Sequence, residues 1–257
     1  MPYPNLAGKH AHEALFAPGE YLAYARAHGL VDPAPPPEAV LLCYQPALAR
    51  RLLGDRSGPR PRMPGHVRPL PDGDGRVAAA AGFGIGAPAA AVVLEELVAW
   101  GVRRVVSVGT AGTLQPQLVP GRVVVCTSAI RDEGTSHHYL PPERLVDPGP
   151  RLTAHLAATL RGRGLDVEEG RTWTTDAPYR ETATEIRSYR EEGVLTVEME
   201  AAALFAVARH RGIEVASALV VSDRLGEAWE PHFHAEVTAD GLEAAARGAL
   251  EALTTST

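Results

Sequence analysis

The sequence predicts an α/β fold, a single domain with a mainly parallel, mixed central sheet flanked by helices. Three observations predict it. Short Val- or Ala-rich runs alternate with helical segments from residue 39 onward. Those runs are apolar throughout instead of alternating, as strands covered on both faces are. No internal repeat or break in composition divides the 257 residues into two cores, and a chain of that length supports one sizeable core.

The elements follow in order. Residues 1 to 38 read as an irregular segment packing on the core or on a neighbouring subunit, with a short helix around Glu20 to His28 and a proline cluster at 33 to 37. Residues 39 to 257 make the main domain. Ala39 to Tyr44 is an apolar strand, Pro46 to Gly54 a short helix, and the Pro-, Gly- and Arg-rich residues 55 to 75 a long loop. Val77 to Phe83 is a strand, and Pro88 to Trp100 a helix with Glu95 and Glu96 on its wet side. Arg104 to Gly109 and Arg122 to Ile130 are Val-rich strands. Leu152 to Arg163 is helical, Arg171 to Thr175 extended, and Glu181 to Glu192 helical. A strand and a helix fill 194 to 211, with Gly212 as the stop. Val215 to Ser222 is the last strand, and a helix runs from about Ala235 to Leu253.

Composition excludes several function classes. The net charge of −6 supplies no basic field for nucleic acid. No apolar run approaches the roughly 18 residues of a membrane span. The N-terminus lacks a signal-peptide core, and Cys43 and Cys126 lie in apolar strands without metal-ligand spacing. A cytoplasmic protein is expected.

In an open α/β sheet, ligands bind beyond the carboxyl ends of the strands. The stretch Thr196 to His210, TVEMEAAALFAVARH, is the most informative there. Glu198 and Glu200 flank Met199 where a strand turns into a helix. The pair either satisfies a helix N-terminus or offers acceptors and a soft apolar surface to a sugar. Gly84-Ile85-Gly86-Ala87-Pro88 opens a helix and is either an anion site or a plain turn. Val108 to Thr113 reads as a tight glycine turn presenting Thr110. Asp132 to Tyr139 holds adjacent histidines, but the spacing matches no common zinc pattern and predicts no metal. Asp223, in Ser222-Asp223-Arg224, is a candidate general acid in a partly buried loop or an acid salt-bridged to Arg224.

Together GFGIGAP, SVGTAGTLQPQLVPGRVVV, AIRDEGTSHHY, VEMEAAALFAVA and VVSDR, in order over residues 77 to 223, resemble the nucleoside phosphorylase family, of the uridine phosphorylase and hexameric purine nucleoside phosphorylase fold. The resemblance implies cleavage of a nucleoside N-glycosidic bond by phosphate, giving free base and (deoxy)ribose 1-phosphate. Phosphate is then a co-substrate, no cofactor is needed, and a homodimer or homohexamer is expected. By the same resemblance Glu200 binds the ribose hydroxyls, Met199 packs on the sugar, Glu198 supports them, and Thr110 touches sugar and phosphate. Gly84 lies near phosphate. His10 reaches a sugar site, and Asp223 protonates a purine. Arg224 stands where pyrimidine-specific members keep an arginine, and Tyr179 and Arg180 occupy the base loop.

Two departures stand out. The family's phosphate loop, Gly-Asp-Pro-x-Arg, here reads Tyr44-Gln45-Pro46-Ala47-Leu48, and a second phosphate arginine is replaced by Ser107. Arginine contacts to phosphate are strong. Arg60, Arg62 and Arg68 are the expected replacements, with Arg50 or Arg51 as others. A nucleosidase using water and a non-catalytic nucleoside-binding protein are the alternatives.

Overall fold

The computed structural model describes residues 4–30, 35–53, 66–70, 75–226 and 228–255. A mixed ten-stranded sheet forms its centre. The first strands, β1 (Ala39–Cys43), β3 (Val77–Ala81) and β4 (Arg104–Thr113), run parallel, with β1 between the other two. A short strand β2 (His66–Pro69) lies antiparallel on the outer edge of β3. It falls where a long loop was expected; four residues flanked by prolines and glycines carry too little periodicity to read.

Beyond β4 the sheet closes on itself. β4 pairs with β9 (Glu214–Leu225), β9 with β5 (Val123–Asp132), β5 with β7 (Val167–Thr175), β7 with β8 (Thr196–Glu198), and β8 again with β4. Short β6 (Leu145–Val146) and β10 (Trp229–Pro231) add to β5 and β9. A bulge in the β4–β9 pairing between Ala111 and Gly112 shifts the register, and bulges of this kind re-aim side chains.

Helices cover both faces. On one, α1 (Pro18–Ala27), α3 (Ala87–Trp100) and α6 (Ala201–Arg211) pack in one core with Leu22, Leu94 and Phe205. On the other, α2 (Pro46–Leu53), α4 (Pro150–Gly162) and α7 (Glu236–Thr255) bury Leu48, Leu156 and Leu253. In a third, smaller cluster, Trp173 and Leu114 pack with Ile186 of α5 (Ala183–Glu191). Residues Ala201 to Ala208 of α6 are all buried, so this helix carries no solvent face until its last turn. Its run of alanines lets the backbone lie close to α3 and the sheet.

Three expectations need correction. Residues 109 to 113 are not a turn but the second half of β4. Its glycines answer to close approach: a Cβ at Gly112 would sit 2.4 Å from Leu225 and 3.0 Å from Asp223, and one at Gly109 3.1 Å from the Tyr44 ring. Asp223 likewise stands within β9 instead of in a loop. Glu95 and Glu96 do not face water; both are buried on α3. Glu95 takes a two-pronged ion pair from Arg211 at 2.7 and 2.9 Å, the partner that makes its burial tolerable.

Candidate functional site

A cleft of about 230 Å³ opens at the carboxyl ends of β1, β4, β8 and β9. Its walls hold four carboxylates, Glu181, Glu198, Glu200 and Asp223, and no lysine, arginine or histidine among the described lining residues.

The Glu198–Met199–Glu200 wall is built first. β8 ends at Glu198 and α6 begins at Ala201, so the triplet is the turn between them. The two glutamates divide the alternatives that the sequence left open. Glu198 is the capping group: its Oε2 accepts the backbone N–H of Glu200 and of Ala201, both at 2.7 Å, and its Oε1 accepts the Thr174 hydroxyl at 2.6 Å. Glu200 is released from that duty. Its Oε1 instead accepts the N–H of Gly86 at 2.5 Å, at the N-terminus of α3. Gly86 has φ +93, a backbone only glycine holds easily, and Met199 lies against it. Burial pushes the carboxyls of Glu198 and Glu200 above the ordinary carboxylate range, and for Glu198 the neighbouring Glu200 adds to it.

On a second wall, the bulge turns Asp223 into the cleft. Its Oδ1 accepts the Ser222 hydroxyl at 2.8 Å and its Oδ2 the Trp229 indole N–H at 2.9 Å. Its neighbour Arg224 does not pair with it; Arg224 meets Glu230 across the β9–β10 ladder at 3.6 Å. Glu181 and Pro178 approach the same wall from the segment before α5, and Phe233 from the segment after β10. Burial, then the nearby Asp223 and Glu185, push the Glu181 carboxyl up to about 7.

The third wall gathers both departures from the family pattern. Tyr44 Oη and Ser107 Oγ are hydrogen-bonded at 3.0 Å. Gln45 Nε2 donates to Thr110 Oγ1 at 3.1 Å. Gln45 Oε1 is buried without a partner among the described residues. Leu48 points away into the core. The tyrosine stacks edge-on with Phe83 at 5.3 Å, and burial, with Glu200 adding, pushes its hydroxyl pKa well up. A neutral lattice therefore fills this wall.

Of the residues singled out in the sequence, Thr110, Glu198, Met199, Glu200 and Asp223 line one cleft. The others stand apart from it. Gly84 is exposed one residue before Ile85, which does line it. Tyr179 is 99% exposed and Arg180 is exposed beside it, on the short turn Pro178–Arg180. His10 sits in the turn Lys9–Ala11, where Lys9 donates to His138 at 2.8 Å. Arg68 is on edge strand β2. Arg51 is paired with Glu243 of α7, and Arg50 is exposed on α2. Arg60 and Arg62 lie outside the described residues. The loop 132–139 serves structure: Glu133 caps its turn through Thr135 and Ser136, and buried Arg131 ties it down through Ser136 and the Pro141 carbonyl. Among the described residues no three potential metal ligands converge there or elsewhere.

Sequence reasoning missed Glu181, Phe233 and Trp229. Glu181 directly precedes the capping box of α5, Thr182 with Glu185. That box was a legible signal that the chain is pinned at this point. Nothing local marks Trp229, which meets Asp223 through the β9–β10 hairpin, or Phe233, which lines the cleft just beyond it.

Comparison with known proteins bears on the family and the fold. A model of the phosphorylase superfamily matches residues 58–254. The chain belongs to that superfamily. Among curated relatives, it is 33% identical over 142 residues to a guanosine phosphorylase of Halorubrum lacusprofundi, a match covering 55% of this chain and 59% of the relative. It is 28% identical over 144 residues to a uridine phosphorylase of Haemophilus influenzae, covering 51% and 57%. It is 31% identical over 147 residues to a DeoD-type purine nucleoside phosphorylase of Bacillus cereus, covering 56% and 62%. The matches thus span about three fifths of these relatives' length. The crystal structure of a uridine phosphorylase from Vibrio fischeri superposes with a TM-score of 0.70 at 25% identity, covering 88% of this chain and 95% of that one. The α/β fold with a mixed sheet flanked by helices is that of its superfamily. No helix among the described residues is long and apolar enough to cross a membrane.

Proposed function

We propose that this chain cleaves the N-glycosidic bond of a nucleoside, a purine nucleoside in preference, and transfers the sugar to phosphate to give free base and (deoxy)ribose 1-phosphate. The carrying observation is the cleft itself, which sets the Glu198–Met199–Glu200 wall beside Asp223. With Glu198 committed to the α6 cap, Glu200 is the carboxylate left to accept ribose hydroxyls, and Met199 offers a soft apolar surface to the ring. Breaking the bond builds positive charge on the sugar. Carboxylates in a buried cleft stabilise that charge more in the transition state than in the ground state. Asp223 and Glu181 flank the place left for the base, where acids suit a purine's ring nitrogens. Relatives named for guanosine, uridine and purine nucleosides support the nucleoside class and leave the base to be tested.

In this reading phosphate is a co-substrate and no cofactor takes part. A homodimer or homohexamer is proposed as well, on the strength of fully exposed Leu15 and 70% exposed Phe16 beside the His10 turn. The free buried cysteines fit a cytoplasmic setting.

A second reading, hydrolysis, is favoured by one specific observation. The Tyr44–Ser107 and Gln45–Thr110 pairs are neutral where phosphate needs cations. The buried, unpartnered oxygen of Gln45 could instead hold a water. A panel of purine and pyrimidine nucleosides, incubated with and without phosphate, separates the readings. Phosphate-dependent base release with ribose 1-phosphate supports the first. Phosphate-independent release of free ribose supports the second. Binding without base release contradicts both.

A further inference from the structure

We propose that Trp229 is a positioning residue for the acid that meets the base: its indole N–H holds Asp223 Oδ2, so that Oδ1 is the oxygen through which Asp223 passes a proton to the base. The inference rests on the nucleoside reading, in which Asp223 faces a purine.

The sheet builds this contact. β10 runs antiparallel to β9, with Trp229 opposite Leu225 and Pro231 opposite Asp223. Side chains alternate along a strand. Trp229 and Asp223 therefore share one face, while Arg224 and Glu230, paired at 3.6 Å, take the other. Trp229 is the diagonal neighbour of Asp223, within reach of a long aromatic side chain, and its Nε1 donates to Asp223 Oδ2 at 2.9 Å. From the opposite side β4 sets Gly112 beside Asp223. A Cβ at Gly112 would stand 3.0 Å from Oδ2, so the missing side chain leaves that oxygen its place. The segment after β10 is tied down as well. The His232 N–H donates to the Ser222 carbonyl at 2.8 Å, and the Thr238 hydroxyl to the His232 carbonyl at 2.9 Å. The Trp229 ring is 60% exposed and does not line the cleft. Its tie to the site is the N–H, not burial of the ring.

The two oxygens of Asp223 are held differently. An indole N–H can only donate, so Oδ2 is kept as an acceptor, and a proton placed there would meet the indole hydrogen head-on. Oδ1 faces Ser222. That hydroxyl has one hydrogen and two acceptors in range, Asp223 Oδ1 at 2.8 Å and the Ala111 carbonyl at 3.3 Å, and a hydroxyl hydrogen rotates to suit its partners. It points at Oδ1 when that oxygen is bare and at Ala111 when Oδ1 carries a proton. Both proton states are thus accommodated at Oδ1 and only one at Oδ2.

In the step, the C1′–N bond breaks and its electron pair goes to the base. The proton on Oδ1 passes to a ring nitrogen of the purine. The acceptor oxygen bonds to C1′ and gives up its own proton to solvent. Ser222 turns to the bare Oδ1, and Asp223 takes a proton from solvent before the next turnover. Throughout, Trp229 keeps the carboxyl from swinging.

Trp229→Phe removes the N–H and keeps an aromatic ring beside Phe233. Wild type, Trp229→Phe, Asp223→Ala and the double variant are assayed for base release from guanosine and from 7-methylguanosine, whose ring already carries positive charge and needs no proton to leave. On guanosine, Trp229→Phe should lose about tenfold or more in kcat, with KM within about threefold. On 7-methylguanosine its kcat should stay within about threefold of wild type, which also shows that it is folded. Added to Asp223→Ala, it should cost guanosine cleavage less than about a further twofold, since the indole then has no carboxyl to hold. Near-normal guanosine cleavage by Trp229→Phe, equal losses on both substrates, or full additivity with Asp223→Ala would each overturn the inference. Near-normal guanosine cleavage by Asp223→Ala would remove the acid, and the inference with it. A wild type that cleaves neither nucleoside would overturn the nucleoside reading itself.

Discussion

The cleft has two contrasting ends. At Glu198–Met199–Glu200 the carboxyls are placed by hydrogen bonds from the backbone and from Thr174. One glutamate caps α6, freeing the other to meet the N-terminus of α3. At Tyr44, Gln45, Ser107 and Thr110, side chains satisfy one another with neutral hydrogen bonds. The first end keeps carboxyl groups facing the cleft, and the second presents neutral side chains. Tyr44 and Ser107, which stand where the family resemblance led one to expect a glycine and an arginine, are bonded to each other.

The sharpest way to break this contrast is to remove the charged end. Glu200→Ala should lower kcat/KM for a nucleoside by about 10²- to 10³-fold, the scale of one lost electrostatic group in a buried site. A loss below about fivefold in steady-state kinetics would erase the distinction between the two ends.

Asp223→Asn should lower cleavage of purine nucleosides by about ten- to a hundredfold, and of uridine by less than about threefold. Equal losses on both substrates would take Asp223 out of base recognition.

Tyr44→Phe removes the hydroxyl that meets Ser107 and leaves the ring on Phe83. It should change the nucleoside KM by less than about fivefold, since one neutral hydrogen bond is worth about 1 kcal/mol. A tenfold rise in nucleoside KM would show that the neutral end serves the nucleoside after all.

The smallest effect lies outside the cleft, on α3. Burial pushes the Glu96 carboxyl up to about 7. Its folded pKa exceeds its unfolded one, so its contribution is fully present below the unfolded pKa of about 4 and is lost as pH rises through about 7. Between pH 5 and pH 8 it should cost the fold about 2–3 kcal/mol, and Glu96→Gln should flatten that slope in urea unfolding. An unchanged slope would place this carboxyl in water.

Much of this was legible in the sequence. The buried strands Ala39–Cys43 and Val77–Ala81 and the Ala-rich helix Ala201–Arg211 are local patterns, and they were placed within a few residues. The acid-Met-acid corner was legible because it sits between two such patterns. What escaped depends on contacts between distant segments. The glycines of residues 109 to 112 suggested a turn, whereas Leu225, Asp223 and Tyr44 crowd a strand there. Glu95 looked solvated until Arg211 reached it from another helix. Asp223 became an acceptor only once Trp229 folded back beside it. Glu181 carried its own signal in the Thr182 box, but its proximity to Asp223 is a property of the closed sheet.

The claim that Glu200 holds the sugar is tested most directly by pairing its removal with removal of the hydroxyls it would bind. Wild type and Glu200→Ala are compared on guanosine and on 2′,3′-dideoxyguanosine, which lacks both hydroxyls. The penalty of the variant should shrink from about a hundredfold or more on guanosine to within about threefold on the dideoxy compound, the coupling expected of direct partners. The same penalty on both substrates would contradict the account.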